Sequence, residues 1–542
     1  MANPPFRPTA TKDLRSVEEE IDEAFATNDL VLLPFAQCAW TLLSVVEDHH
    51  FKITVSSPLE AAQATIYVDG LMNSLTYPMR VCYQRASRGP APFEKKLVDT
   101  HYQLADQWLD KAEDYAQFCT IFPLFHAKEI DLHLEGNRLI PTDWSTTDLS
   151  YEVYDRFIAK RNPNDETSLD ANPVRQELIA NMRKSGGFFS VDFTRSLLNS
   201  LSKALGKSIR SRHVLPEEWQ FKHFSLGEYR AVFSCLQAMA FGWFCARQIV
   251  AMDGASAVAF PSAVWTPRKG QLLTIISRHT GIQKKVVEAI LLYLTFGEVG
   301  IRNPDIAIQP LVDLTNGQYA ISPFVMTHVN AERNLCVLLN QIPADRKLYS
   351  TLVDEKENQA RTETIDALGA LGLDFKHGQL GKTDVDLAII DRKAKVCLCV
   401  EIKWFIEPAE VREILDRSEE LRKGVRQANL ISKMFSESDS TLLALLEIDK
   451  SYDFLAMVGS VNFIGGHRVQ HPDVPITKLW HLAADIQHKG SLAASVSWLR
   501  NRSYLPKKDI DFKIEEVEIR SGNWISTWYG IGHAQADLAL SE

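Results

Sequence analysis

Apolar positions recur at helical spacing from about residue 15 to residue 260, as in "LVLLPFAQCAWTLLSVVEDHH" (30–50) and "SLGEYRAVFSCLQAMAFGWFCARQIVAM" (225–252). The polar stretch "KRNPNDETSLDANP" (160–173) interrupts them. This pattern predicts a mainly helical region over 1–260. Next, "QLLTIISRHTGIQKKVVEAILLYL" (271–294) predicts two helices around a Thr-Gly-Ile turn, and "DIAIQPLVDLTNGQYAISP" (305–323) a small hairpin turning at Asn316-Gly317. Helix, turn, helix and hairpin in this order are compatible with a winged-helix-like or connecting subdomain over 261–345. Beyond it the period changes. Ser350 to Leu371 is helical, and Leu373 to Gln379, 384–391 and 395–405 read as strands. An amphipathic helix follows over 408–435, opened by Pro408 at a first-turn position, with Val411, Ile414, Leu415, Leu421, Val425 and Ala428 as its apolar stripe. A strand over 452–459 closes the series. Because a long crossover helix joins them, strands 395–405 and 452–459 are expected to run parallel in one sheet. This αβββαβ core spans 346–465. Residues 466–542 extend it with a helix near Leu479 to Arg500 and a hairpin in "FKIEEVEIRSGNWISTWYGIG".

The expected fold class is therefore α+β and multidomain, a largely α-helical N-terminal region followed by an αβββαβ domain with a mixed central sheet. A chain of 542 residues is too long for one core, and 45% hydrophobic with 24% charged residues excludes a disordered or collagen-like protein. The net charge of −10 excludes a surface that is basic everywhere, so any contact with a polyanion is local. Two segments are candidates. "KALGKSIRSRH" gathers Lys203, Lys207, Arg210 and Arg212, which read as phosphate contacts or as a solvated helix face. Lys284 and Lys285 open the second helix of the helical pair, where they face DNA if that helix is exposed and otherwise belong to ordinary packing. Eight cysteines without a CxxC pair fit buried free thiols in a reducing compartment. The N-terminus lacks the apolar core of a signal peptide, and Val232 to Met252 carries Gln237, Arg247 and Gln248, so a buried helix, no membrane span and a cytoplasmic location are expected.

One stretch carries chemistry. In "TDVDLAIIDRKAKVCLCVEIKWF" (383–405), Glu401 and Lys403 interrupt a strand that is otherwise apolar on both faces, where an unpaired charge is expensive. Alternation puts Cys397, Cys399, Glu401 and Lys403 on one face, and Asp384, Asp386, Ala388 and Ile390 on one face of the preceding strand. If the hairpin turns symmetrically about Lys393 and Ala394, Asp386 stands opposite Glu401 and Asp384 opposite Lys403. Two carboxylates directly opposed are destabilising unless a cation joins them. All-oxygen ligands suit Mg²⁺ or Mn²⁺, with Lys403 beside any metal-bound water. The competing reading is a plain Asp384–Lys403 ion pair with Glu401 facing solvent.

The αβββαβ order, with Asp386, fourteen intervening residues and Glu401-Ile402-Lys403, resembles the PD-(D/E)XK nuclease superfamily, the restriction-endonuclease-like fold. The likeness covers roughly residues 350–460. It implies that Asp386 and Glu401 bind Mg²⁺, that the Ile402 carbonyl adds a ligand, and that Lys403 orients the attacking water or stabilises the phosphorane charge. It also implies a further metal-binding Glu on the first helix, for which Glu363 fits better than Glu357. Val385 stands where the motif's Pro would be, and Ile431 rather than Tyr follows Gln427, so the RecB-like exonuclease branch is not supported. His467 and His471 flank "RVQ" in a loop without zinc-like partners and read as loop histidines. The function this implies is a Mg²⁺-dependent nuclease acting on nucleic acid, expected to be DNA, in restriction, phage defence or repair. A protein partner or homo-oligomer is compatible with it. The rival class is a non-catalytic nucleic-acid-binding or scaffold protein with a degenerate nuclease fold.

Overall fold

The computed structural model describes residues 13–56, 61–142, 149–155, 174–185, 188–210, 215–254, 261–381, 383–406, 408, 410–466 and 469–533. The chain forms two compact units. The first comprises Met1–Phe118, Asn164–Tyr349 and Arg520–Trp524; the second comprises Cys119–Pro163, Ser350–Ile519 and Ile525–Glu542. The recruitment of 119–163 into the second unit has no signal in the local sequence pattern.

The first unit is mainly helical, as the periodicity predicts, with small hairpins at residues 182–191 and 311–321. Its longest buried helix, α1 (Leu226–Met252), starts in a capping box in which the Ser225 hydroxyl accepts from the Glu228 amide and the Glu228 carboxylate accepts from the Ser225 amide. Of the polar residues that mark "FCARQIVAM" as no membrane span, Arg247 is buried and held by groups of the same unit. Arg247 donates to the Glu47 carbonyl at 2.8 Å, and the Glu47 carboxylate accepts from the Ser322 hydroxyl and the Phe324 amide. Among the described residues no helix is long and apolar enough to cross a membrane. After α1 come α2 (Lys269–Thr280) and α3 (Lys284–Tyr293), then the hairpin β1 (Leu311–Asp313) and β2 (Tyr319–Ile321). An extended segment between α1 and α2 pairs with β2: Trp265 and Ile321 exchange both backbone hydrogen bonds, and Tyr319 donates to the Pro267 carbonyl. Two helices and a three-stranded antiparallel arrangement thus pack beside α1.

The second unit is built on a five-stranded mixed sheet. The helix α4 (Pro343–Leu368) precedes β3 (Asp374–Gln379), β4 (Asp384–Asp391) and β5 (Val396–Lys403); α5 (Val411–Ser436) crosses over to β6 (Asp453–Ser460), and β7 (Ile476–Lys478) closes the far edge. The strand order is β7-β6-β5-β4-β3. Strands β3, β4 and β5 are antiparallel, whereas β6 runs parallel to β5 and β7 parallel to β6, as the crossover helix requires. The β4–β5 turn spans residues 392–395, and the ladder from Leu387↔Val400 to Asp391↔Val396 has the register expected of a turn centred on Lys393 and Ala394. β5 is buried along its length because the sheet core, from Val385 and Leu387 through Leu398 and Val400 to Val458, packs helices on its faces.

Three local expectations change. Pro408 lies outside α5, which starts at Val411 behind Glu410, and the buried stripe of α5 begins about two turns late, at Ser418, Leu421, Gly424, Val425, Ala428 and Ile431. The helix near Leu479–Arg500 is two helices, Leu479–Lys489 and Leu492–Arg500, divided where Gly490 takes φ 59°. The C-terminal hairpin, Phe512–Ser521 and Trp524–His533, joins a second sheet with Leu132–Glu135 and Arg138–Pro141. All eight cysteines are free.

Candidate active site

The charged end of β5 lies on the face of the sheet covered by α5. Glu401 is 2% exposed. The regular β4–β5 ladder stops at Leu387↔Val400, one step short of the Asp386 and Glu401 pair. There the Asp386 carboxylate takes over from the backbone: its Oδ2 accepts the Ile402 amide at 2.7 Å. That hydrogen bond fixes Asp386 against the main chain beside Glu401. Lys403 Nζ donates to Glu401 Oε1 at 2.7 Å, while Glu401 Oε2 is buried without a hydrogen-bond partner. The ion pair of Lys403 is thus with Glu401. The expected opposition of Lys403 to Asp384 is not realised, because the strand pairing ends before reaching it.

Burial, and then the neighbouring Asp386 charge, push the Glu401 carboxyl up to about 7, against the pull of Lys403. Asp386 is also raised, chiefly by burial, with the Ile402 amide and Lys403 opposing. For Lys403, burial pushes downward, but the Glu401 carboxylate, with Glu357 and Asp386, leaves it net raised and therefore an ammonium at neutral pH. A buried carboxylate with an orphaned oxygen beside a second carboxylate is a donor set suited to a hard divalent cation. Among the described residues no three or more His, Cys, Asp or Glu side chains gather as metal ligands. Two carboxylates with retained waters match the way Mg²⁺ is usually held rather than a closed protein cage.

Two neighbours of this site, Gly424 and Arg361, carry no signal in the sequence, and a third, Glu357, is the acid ranked behind Glu363. α5 crosses so close that a Cβ at Gly424 would stand 3.3 Å from Lys403 Cε and 3.5 Å from Glu401 Cγ. Glycine inside a helix costs up to about 1 kcal/mol relative to alanine, and this close approach is its reason. On α4, Arg361 Nη1 donates to the Asp386 carbonyl at 3.4 Å, and Glu357, one turn earlier on the same side, acts electrostatically on Lys403. Glu363, expected as the further ligand, is exposed and accepts from Gln359 Nε2 at 2.9 Å. Two residues on from Arg361 is about 200° around the helix, so Glu363 points away from the pair. Glu357 occupies the side of α4 where a further acid would have to be.

No protein family, curated protein or solved structure matches this chain. The site is therefore read from its own chemistry.

The other sequence candidates fall elsewhere. Lys203 is exposed on the helix Arg195–Arg210; the side chains of Lys207 and Arg210, and the whole of Arg212, lie outside the described residues, as does His467. His471 Nε2 pairs with Asn429 Nδ2 at 3.0 Å and its Nδ1 accepts the Asp473 amide, which is a loop-bracing role. Lys284 and Lys285 are exposed at the start of α3.

The raised Glu401 carboxyl has a stability consequence. A folded-state pKa above the unfolded value means that the native state binds the proton more tightly, so stability is full below about 4.5 and falls as pH rises through about 7. Metal-free protein is expected to show this decline in melting temperature, and Glu401→Gln to flatten it. Glu47, raised to about 7 mainly by burial in the first unit, contributes a parallel decline. Glu47→Gln separates the two, since only the Glu401 part should vanish on adding Mn²⁺. A pH profile unchanged by Glu401→Gln would refute the assignment of that carboxyl.

Proposed function

We propose that this protein is a Mg²⁺-dependent nuclease that hydrolyses phosphodiester bonds, with DNA as its substrate, and that its second unit is a restriction-endonuclease-like domain. The observation that carries this reading is the buried Glu401 carboxylate, with one oxygen on Lys403 and the other without a partner, beside Asp386. Asp386 and Glu401 would hold the ion, with the Ile402 carbonyl as an added oxygen. When bound, a divalent ion offsets charge on the phosphoryl oxygens and lowers the pKa of a coordinated water. The roles of the chain's own residues follow from the site. Asp386 is oriented by the Ile402 amide. Lys403, kept protonated by its acidic neighbours, is a donor rather than a general base, and its Nζ hydrogens serve the attacking water or a non-bridging phosphate oxygen. Restriction, phage defence and repair all use such chemistry, and eight free thiols suit a reducing cytoplasm.

The test is incubation of purified protein with plasmid, linear duplex, single-stranded DNA and RNA, each with Mg²⁺ and with EDTA. Mg²⁺-dependent cleavage of DNA is the expected result, and no cleavage of any substrate overturns it. The rival, a non-catalytic nucleic-acid-binding or scaffold protein, is favoured by one observation: the 2.7 Å Lys403–Glu401 pair balances charge without a metal. Mn²⁺ should raise the melting temperature if it binds only the folded site, and leave it unchanged if the pair is purely structural.

Gly424→Ala gives a finer check. Its methyl group gains helix propensity worth up to about 1 kcal/mol but crowds Lys403 Cε. Stability should stay within roughly 1 kcal/mol of wild type while cleavage falls about tenfold, because small displacements of a catalytic group are costly in rate. Full activity in Gly424→Ala would show that Lys403 has room to spare.

A further inference from the structure

In the first unit, the described elements between residues 226 and 321 include a helix, a short extended segment, two helices and a hairpin, and the extended segment at Trp265–Arg268 pairs β2 on its free side. The α2–α3 turn is three residues long. Gly281 ends α2 at φ 76°, the left-handed region that favours glycine, and its amide caps the Ser277 carbonyl at 3.0 Å. The turn is braced again by Ser277 Oγ, which donates to the Ile282 carbonyl at 2.6 Å, and by Thr280 Oγ1, which accepts the Ile282 amide. Such bracing gives α3 a fixed angle to α2.

The two sides of α3 differ in kind. Val287, Ile290 and Leu291 are buried, whereas Gln283, Lys284, Lys285, Glu288 and Leu292 face outward, Leu292 at 47% exposure. The surroundings are locally basic in an acidic chain. Over 261–321 there are six Lys and Arg against four Asp and Glu, in a protein of net charge −10. Asp313 pairs with Lys269 at 2.5 Å and Asp305 with Arg80 at 3.2 Å, which leaves five of the six cations facing two acids, Glu288 and Glu298. Exposed Arg278 lies on the other side of the turn from Lys284 and Lys285, and exposed Arg268 flanks Gln318 beside the turn of the hairpin. The hairpin tip, Thr315 to Gly317, is exposed.

We infer that this module docks duplex DNA, with the first turn of α3 entering the major groove and the β1–β2 hairpin lying along the adjacent backbone. A helix presents side chains to base edges at its N-terminal turn, where Gln283 offers an amide suited to adenine. Lys284, Lys285, Arg278 and Arg268 meet phosphates, which fix orientation without reading sequence. The inference deepens the proposed function, on which it rests for the choice of duplex DNA as substrate, and it uses none of the residues of the candidate active site.

The test is fluorescence anisotropy of a labelled duplex with the full-length protein in EDTA, where no cleavage intervenes, across a salt series. Wild-type protein should bind with a steep salt dependence. In Lys284→Ala/Lys285→Ala the slope of log K against log salt should flatten by about 0.9 for each phosphate that is no longer neutralised. Gln283→Ala should leave the slope unchanged while weakening the preference among duplex sequences. Lys393→Ala, in the β4–β5 turn of the second unit, serves as the control and should change nothing. An unchanged slope in the double variant overturns the inference, as does tighter binding to RNA duplex or single strands than to DNA duplex. Binding is read in EDTA without cleavage, so failure of the nuclease reading leaves this result standing, and the converse also holds.

Discussion

Asp386→Asn and Glu401→Gln will each reduce Mg²⁺-dependent cleavage by more than about 10³, beyond the loss expected from a single electrostatic donor. On the proposed reading, each removes one of the two negative ligands. The variants will part company in stability. In EDTA at pH 8, Glu401→Gln removes a buried charge whose carboxyl is pushed from 4.5 to about 7, a penalty of roughly 3 kcal/mol at most, so the melting temperature should rise. Asp386→Ala should instead lose stability, by about 1 to 3 kcal/mol, because the Ile402 amide is left without its acceptor. Asp386→Asn keeps an oxygen there and should fall between them. In Mn²⁺ wild type should rise above all of them, since it gains stability from the ion and the variants do not. Wild-type cleavage in either Asp386→Asn or Glu401→Gln would remove the site from consideration.

Much of the second unit is legible because each of its signals is local and mutually consistent. Acids and apolar residues alternate along β4, a four-residue turn follows, and β5 carries Glu401 and Lys403 in an otherwise apolar strand; register then follows from turn length. Parallel pairing of β5 with β6 follows from the length of α5. What was hidden depends on contacts between segments distant in sequence. Gly424 reads as a weak point in a helix until β5 is laid beneath it. The choice between Glu357 and Glu363 turns on the rotation of α4 over the sheet, which Arg361 and the Asp386 carbonyl reveal but local periodicity does not. The three-residue β7 is too short to produce a pattern, so the sheet is wider by one strand than periodicity alone predicts. The end of the β4–β5 ladder at Leu387 has the same origin: symmetric pairing projects Lys403 onto Asp384, whereas the Ile402 amide turns to the Asp386 side chain and frees Lys403 for Glu401.

Lys403 is expected to separate from the metal ligands by experiment. Lys403→Ala will leave Mn²⁺ binding measurable by calorimetry while lowering the cleavage rate by about 10² to 10³, the loss typical of one electrostatic stabiliser, or roughly 2.7 to 4 kcal/mol. Binding to Mn²⁺ should tighten slightly, because Glu401 Oε1 no longer has to leave the ammonium to meet the ion. Without metal the same variant should be destabilised, since Glu401 then keeps its burial and loses the nearest charge opposing Asp386. Lys403→Arg will not restore the rate in full: a planar fork is larger than the ammonium, and α5 at Gly424 already crosses close to Lys403 Cε. A purely structural Lys403–Glu401 pair shares the loss of stability but differs on the other two readings. It requires Lys403→Ala to keep its activity per folded molecule, and it requires Mn²⁺ to have no effect on melting. Measuring turnover, melting temperature and Mn²⁺ affinity on Lys403→Ala and Glu401→Gln together decides the matter, because retained turnover in Lys403→Ala leaves the ammonium no catalytic part to play.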